Sequence, residues 1–96
     1  PDRVIILPVK GDSMEPTLRP GQRVMVDTSD QRPSPSGLFV VWDGLGSVVK
    51  RIQYVPHSDP PRVRIISDNP AGGDPYERLL EEAYIQGRVV GSWERR

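Results

Sequence analysis

Val4-Ile5-Ile6-Leu7-Pro8-Val9-Lys10-Gly11-Asp12-Ser13-Met14-Glu15-Pro16-Thr17-Leu18 is the stretch on which the reading of this chain turns. Its first six residues are apolar, rich in β-branched side chains and too few for a stable helix, which predicts a strand. The strand runs into Gly11, which takes backbone angles closed to other residues, and Pro16 limits any helix that starts near Ser13. Ser13 is therefore expected on a sharp strand-to-turn junction that pushes its side chain outward. Such a hydroxyl is a nucleophile when a neighbouring group takes its proton; without that group it is one more turn-capping serine.

The chain has 96 residues, 35% of them hydrophobic and 27% charged, with thirteen basic and thirteen acidic side chains. This is the composition of a single soluble domain, residues 1–96, with a modest core, and no net field draws it to nucleic acid or to an anionic membrane. Cysteine is absent, which excludes a disulfide framework, a thiolate nucleophile and a cysteine-based zinc site and suits a reducing cytoplasm. No metal site and no cofactor is expected. No apolar run approaches the roughly eighteen residues of a membrane span, and the N-terminus has no signal-peptide pattern. The chain starts at Pro1 and not at Met, which suggests a piece of something longer.

After the serine turn, Arg23-Val24-Met25-Val26-Asp27 alternates polar and apolar residues and reads as a half-buried strand. Residues 28–37 form a polar, proline-broken loop within the domain. Leu38-Phe39-Val40-Val41-Trp42 is a strand, Asp43-Gly44-Leu45-Gly46 a hairpin turn, and Ser47-Val48-Val49-Lys50-Arg51-Ile52-Gln53-Tyr54 the returning strand. A second proline-rich loop carries His57, the one histidine, which is expected to be solvated and outside the chemistry. Residues 62–67 and 84–93 complete six strands, with Gly87 and Gly91 marking a bulge or a close backbone approach. Residues 76–82 read either as two helical turns or as a covering loop with Leu79 and Leu80 tucked inward. The fold class is mainly β, a compact and twisted set of antiparallel sheets with little helix.

Lys50 is the candidate proton acceptor. Alternation puts it on one face with Val48 and Ile52, so it either snorkels to the sheet edge or sits in a low-dielectric site with its pKa pulled down. Lowering an amine from about 10.4 by roughly three units costs about 4 to 5 kcal/mol against folding, which a protein tolerates only for a use.

Val9-Lys10-Gly11-Asp12-Ser13-Met14-Glu15-Pro16-Thr17-Leu18, followed by Gly21 and Val24-Met25-Val26-Asp27, resembles the serine region of LexA-like peptidase domains of phage-type and SOS repressors. Val49-Lys50-Arg51-Ile52 resembles the lysine strand of that family. Ile66-Ser67-Asp68-Asn69-Pro70 and Ile85-Gln86-Gly87-Arg88-Val89-Val90-Gly91 are similar to its two closing segments, in the same order. Pro16-Thr17-Leu18 favours the repressor branch over the polymerase-accessory branch, and the five residues between Pro70 and Tyr76 depart from the family, which places an aromatic sooner.

The resemblance implies a signal-peptidase-like fold and a Ser/Lys dyad, with Ser13 as nucleophile, Lys50 as general base and the Ser13 backbone N–H as an oxyanion donor. Met14, Val48 and Ile52 are the candidate substrate-groove residues. It also implies a homodimer, the protein's own upstream linker as substrate, an activated recombinase filament as trigger, and DNA contact only through a separate N-terminal domain, with no membrane. Ala71-Gly72 is read as a loop and not as the scissile bond. A non-cleaving dimerisation or sensing module is the alternative function. Val89-Val90-Gly91-Ser92-Trp93, taken as an end strand with exposed backbone, is the candidate dimer surface.

Overall fold

The computed structural model describes residues 3–94. Seven strands, β1 (Val4–Pro8), β2 (Gln22–Asp27), β3 (Gly37–Trp42), β4 (Ser47–Val55), β5 (Arg62–Ile66), β6 (Tyr76–Leu79) and β7 (Ile85–Glu94), form one antiparallel sheet in the order β1-β2-β7-β3-β4-β5-β6. Two short 3₁₀ turns, Pro70–Gly72 and Leu80–Glu82, are the helical content. Among the described residues no helix is long and apolar enough to cross a membrane.

The strand beyond the six expected, β6, falls where the sequence allowed helical turns. Residues 76–82 follow Pro75 and are too few to sustain a helix alone, while residues 76–79 find hydrogen-bonding partners along β5. Glu77 meets Arg62 across this edge, and Leu79 and Leu80 are half-buried.

Two apolar clusters share the sheet. Val9, Met14 and Leu18 from the serine loop pack with Val24, Val26 and Val40; Phe39, Val41, Ile52, Val63, Ile65 and Ala83 form the other. Side chains alternate along a strand, so the consecutive buried residues Phe39, Val40 and Val41 of β3 feed both clusters from opposite faces. Val48 and Ile52 lean on the second cluster and Val49 on the first, the division that alternation predicts for β4.

β7 corrects the sequence reading. It lies between β2 and β3 and is not an end strand, since the sheet ends at β1 and β6; residues 85–88 pair with β3 and residues 88–94 with β2, so Val89–Trp93 is paired along one edge only. Its glycines are explained locally. The register shifts between Met25 and Val26, where Met25 faces Gly91 and Val26 faces Val89, which leaves Val90 as the bulged, exposed residue. At Gly87 a Cβ would stand 2.6 Å from Val26 Cγ1 and 2.8 Å from the Asp27 carbonyl oxygen, so only glycine lets the strands approach there.

Candidate active site

β1 delivers the chain into residues 9–21, where Val9, Met14 and Leu18 turn into the core and pin the loop. Gly11, at φ 74°, makes the left-handed step out of the strand. With its apolar neighbours buried, Ser13 is left half-buried on the rim. Lys50 reaches it from β4. The amine Nζ donates to Ser67 Oγ at 2.8 Å and stands 3.5 Å from Ser13 Oγ. None of the ion pairs among the described residues involves Lys50. Burial lowers its pKa from the ordinary lysine value, and the charge of Asp43 opposes that shift without reversing it. A proton donor and an amine that gives up its charge more readily than a free lysine are thus brought side by side.

Three consecutive residues just after β5, Ser67, Asp68 and Asn69, each grip a different part of the site. Ser67 holds the Lys50 amine. Asp68 accepts from Arg51 Nε and Nη2, both at 2.8 Å, and from Thr17 Oγ1 at 2.5 Å, tying the serine loop to β4. The Arg51 guanidinium holds the Asp68 carboxyl below the usual carboxylate range, with the Thr17 hydroxyl adding to the effect. Asn69 donates its backbone N–H to the Ser13 carbonyl and its side-chain Nδ2 to the Asp12 carbonyl, each at 2.9 Å. The 3₁₀ turn that follows closes over the serine. A Cβ on Gly72 would stand 3.0 Å from the Cβ atoms of both Ser13 and Ser67.

A cleft of about 190 Å³ opens beside Ser13 between the end of β1 and the start of β4, lined by Leu7, Val9, Met14, Val48 and Val49 among others. β1 is paired only with β2. Residues 47–50 of β4 pair with β3, while pairing with β5 begins at Arg51, so both strands keep an unpaired backbone edge here. Met14 and Val48, named from the sequence as groove residues, line this cleft, Met14 as its buried floor. Ile52 does not. It is fully buried among Phe39, Val63 and Ile65, because it lies two residues further along β4 than Lys50, where β4 is paired with both β3 and β5. His57 is exposed and forms no part of the site. No group of three or more potential metal ligands occurs among the described residues.

The partners that sequence reasoning missed had one readable signal. Extending the β4–β5 register by a residue beyond Arg51 and Ile66 sets Lys50 opposite Ser67 and brings Arg51 next to Asp68. That register is known only once both ends of the hairpin are.

The chain also matches known proteins. Residues 1–90 match the family described as Peptidase S24-like. The chain is 37% identical over 91 residues to the 26 kDa repressor protein of Escherichia phage HK022, a match that takes in 93% of this chain and 37% of the length of the phage protein. With a family match that runs through the serine loop and the lysine strand and into β7, this chain belongs to the Peptidase S24-like family.

Proposed function

We propose that this chain is the C-terminal part of a repressor-type regulator and that it cleaves its own upstream linker through a Ser13/Lys50 dyad. The observation that carries the reading is the half-buried Lys50 amine beside Ser13 Oγ, with no carboxylate paired to it among the described residues. In the attack, a bond forms from Ser13 Oγ to the scissile carbonyl carbon, the carbonyl electron pair moves onto oxygen, and the Ser13 proton passes to Lys50 Nζ. The Ser13 backbone N–H serves the oxyanion. Collapse breaks the C–N bond as the protonated Lys50 returns that proton to the leaving amine, and water then releases the acyl group by the same route. Ser67 holds the amine between these transfers. The unpaired edges of β1 and of residues 47–50 suit an extended peptide added as a strand, and the small cleft suits small side chains near the scissile bond.

The test is a chain carrying its upstream linker, followed on gels across alkaline pH. Self-cleavage should rise with pH as Lys50 loses its proton, and Ser13→Ala and Lys50→Ala should each stop it. Cleavage of Lys50→Ala at the parent rate would end the dyad reading.

One observation favours the alternative, a non-cleaving module: the amine is closer to Ser67 than to Ser13. In that case the longer chain stays whole at every pH short of unfolding. Both readings include a homodimer, for which the outer face of β1, β2 and β7 is the candidate surface. Ile6 and Met25 pair across β1 and β2, Trp93 sits two residues beyond Gly91 on the same face, and all three are exposed. Sedimentation of Trp93→Ala beside the parent tests it, and unchanged self-association removes this face.

A further inference from the structure

Among the described residues Asn69 hydrogen-bonds to neither the lysine nor the serine side chain, yet it holds both peptide groups that flank the Ser13 Cα. Its Nδ2 donates to the carbonyl of Asp12 and its backbone N–H to the carbonyl of Ser13. The orientation of its amide has no alternative: Oδ1 accepts from the Ala71 N–H at 3.0 Å, so a flipped amide would set donor against donor there and acceptor against acceptor at Asp12.

In a trans peptide the carbonyl of one residue and the N–H of the next point in opposite directions. Fixing the Asp12 carbonyl toward Asn69 therefore turns the Ser13 N–H away from Asn69. Among the described residues that N–H donates to no protein acceptor, although Ser13 is half-buried. An amide held by its far end and without a protein partner at its near end is a donor free for a group that arrives later.

We propose that Asn69 is a positioning residue that aims the Ser13 backbone N–H at the oxyanion formed during acyl transfer. The inference rests on the Ser13/Lys50 reading above and adds to it what sets the oxyanion donor. It also gives the Asp68-Asn69 pair a division of labour. Asp68 anchors the loop to β4 through Arg51 and Thr17, and Asn69 sets the angle of a single peptide plane within it.

Asn69→Asp isolates this role, because the carboxylate still accepts from the Ala71 N–H but has no proton to donate to the Asp12 carbonyl. The probe is a short peptide boronic acid ending in alanine, whose boron becomes tetrahedral on Ser13 Oγ and places an oxygen where the oxyanion sits. It should bind the parent chain, fail on Ser13→Ala and bind Asn69→Asp roughly tenfold to a hundredfold more weakly, somewhat less than removal of an oxyanion donor outright. In the chain with its linker, the plateau rate of self-cleavage should fall by a similar factor while the pH midpoint set by Lys50 stays in place. Asn69→Ala, which also loses the Ala71 contact, should be weakened by no less. Urea unfolding of each variant gives the folded fraction. A weakening that merely tracks that fraction, or parent-like boronate binding and cleavage by Asn69→Asp, overturns the proposal. A parent chain that neither binds the boronate nor cleaves refutes the Ser/Lys reading itself, and the role of Asn69 with it.

Discussion

Two turns of this chain carry a residue that chemistry could use, and they are built differently. The loop around Ser13 is held by partners far away in sequence: Lys50, Asp68 and Asn69 all bond to it, and its own apolar residues enter the core. The turn around His57 is shaped by its neighbours, and the distant bond to this loop, from the Leu80 N–H to the Pro61 carbonyl, falls at its far end. The Ser58 N–H and hydroxyl bond to the Val55 carbonyl, and the Arg62 N–H bonds back to the Ser58 hydroxyl. His57 itself sits exposed at φ 61°. Local hydrogen bonds shape a turn, but they bring no second reactive group to it. Distant ones assemble a site, because each ties a separate strand to the same few atoms.

The comparison is broken most severely at the dyad. Ser13→Ala and Lys50→Ala should each reduce self-cleavage of the linker-bearing chain by at least the roughly hundredfold to ten-thousandfold that a general base supplies, as followed by product on gels. In Lys50→Ala the fold should persist. The Lys50 pKa is lowered in the folded state, so its penalty on stability is fully present below that pKa and fades as pH rises toward the value of an unfolded lysine. Urea unfolding of parent and Lys50→Met should therefore converge as pH increases, and a gap that widens instead would contradict a desolvated amine.

Ser67→Ala sharpens the same contrast. One hydrogen bond to the amine is worth about 1 kcal/mol, hence a loss of roughly five- to tenfold in cleavage rate with Ser13 and Lys50 both present. Asp68→Ala should cost about 2 kcal/mol of stability, the scale of a hydrogen-bonded charge removed from a mostly covered position. The sign with pH is fixed by its lowered pKa. The Asp68 contribution is present above the ordinary aspartate pKa and is lost as pH falls through the folded value, so parent and Asp68→Ala should approach each other in acid. The smallest effect belongs to the other loop. His57→Ala should change unfolding free energy by less than about 0.5 kcal/mol and leave the pH dependence of cleavage unchanged.

Much of this was legible because strands announce themselves by alternation and serine turns by glycine and proline. Val24 and Val26 read as inward and are buried; Ser13 reads as a junction and stands at one. The errors have a common physical origin in pairing. Ile52 shares a face with Lys50 in the strand pattern, but which part of β4 lies under β5 is decided by the β4–β5 register. β7 reads as a strand from its own residues, yet nothing local says that it inserts between β2 and β3. Residues 76–79 take the strand state because β5 supplies a partner, a condition absent from their own sequence. Ser67 and Asn69 were visible only as letters of a motif, since their roles depend on which carbonyl and which amine the fold brings to them.

The place of β7 also bears on the order of events during synthesis. In the sheet it separates β1 and β2, which carry the Ser13 loop, from β3 to β6, which carry Lys50 and its partners, yet it is the last of the seven strands to be made. Until residues 85–94 emerge, the two halves lack the strand that sets their spacing, and Ser13 and Lys50 can only meet by chance collision. On the proposed dyad reading, the emergence of β7 is what assembles the site, so a linker-bearing chain truncated before Ile85 should remain uncut under alkaline conditions that cleave its full-length counterpart.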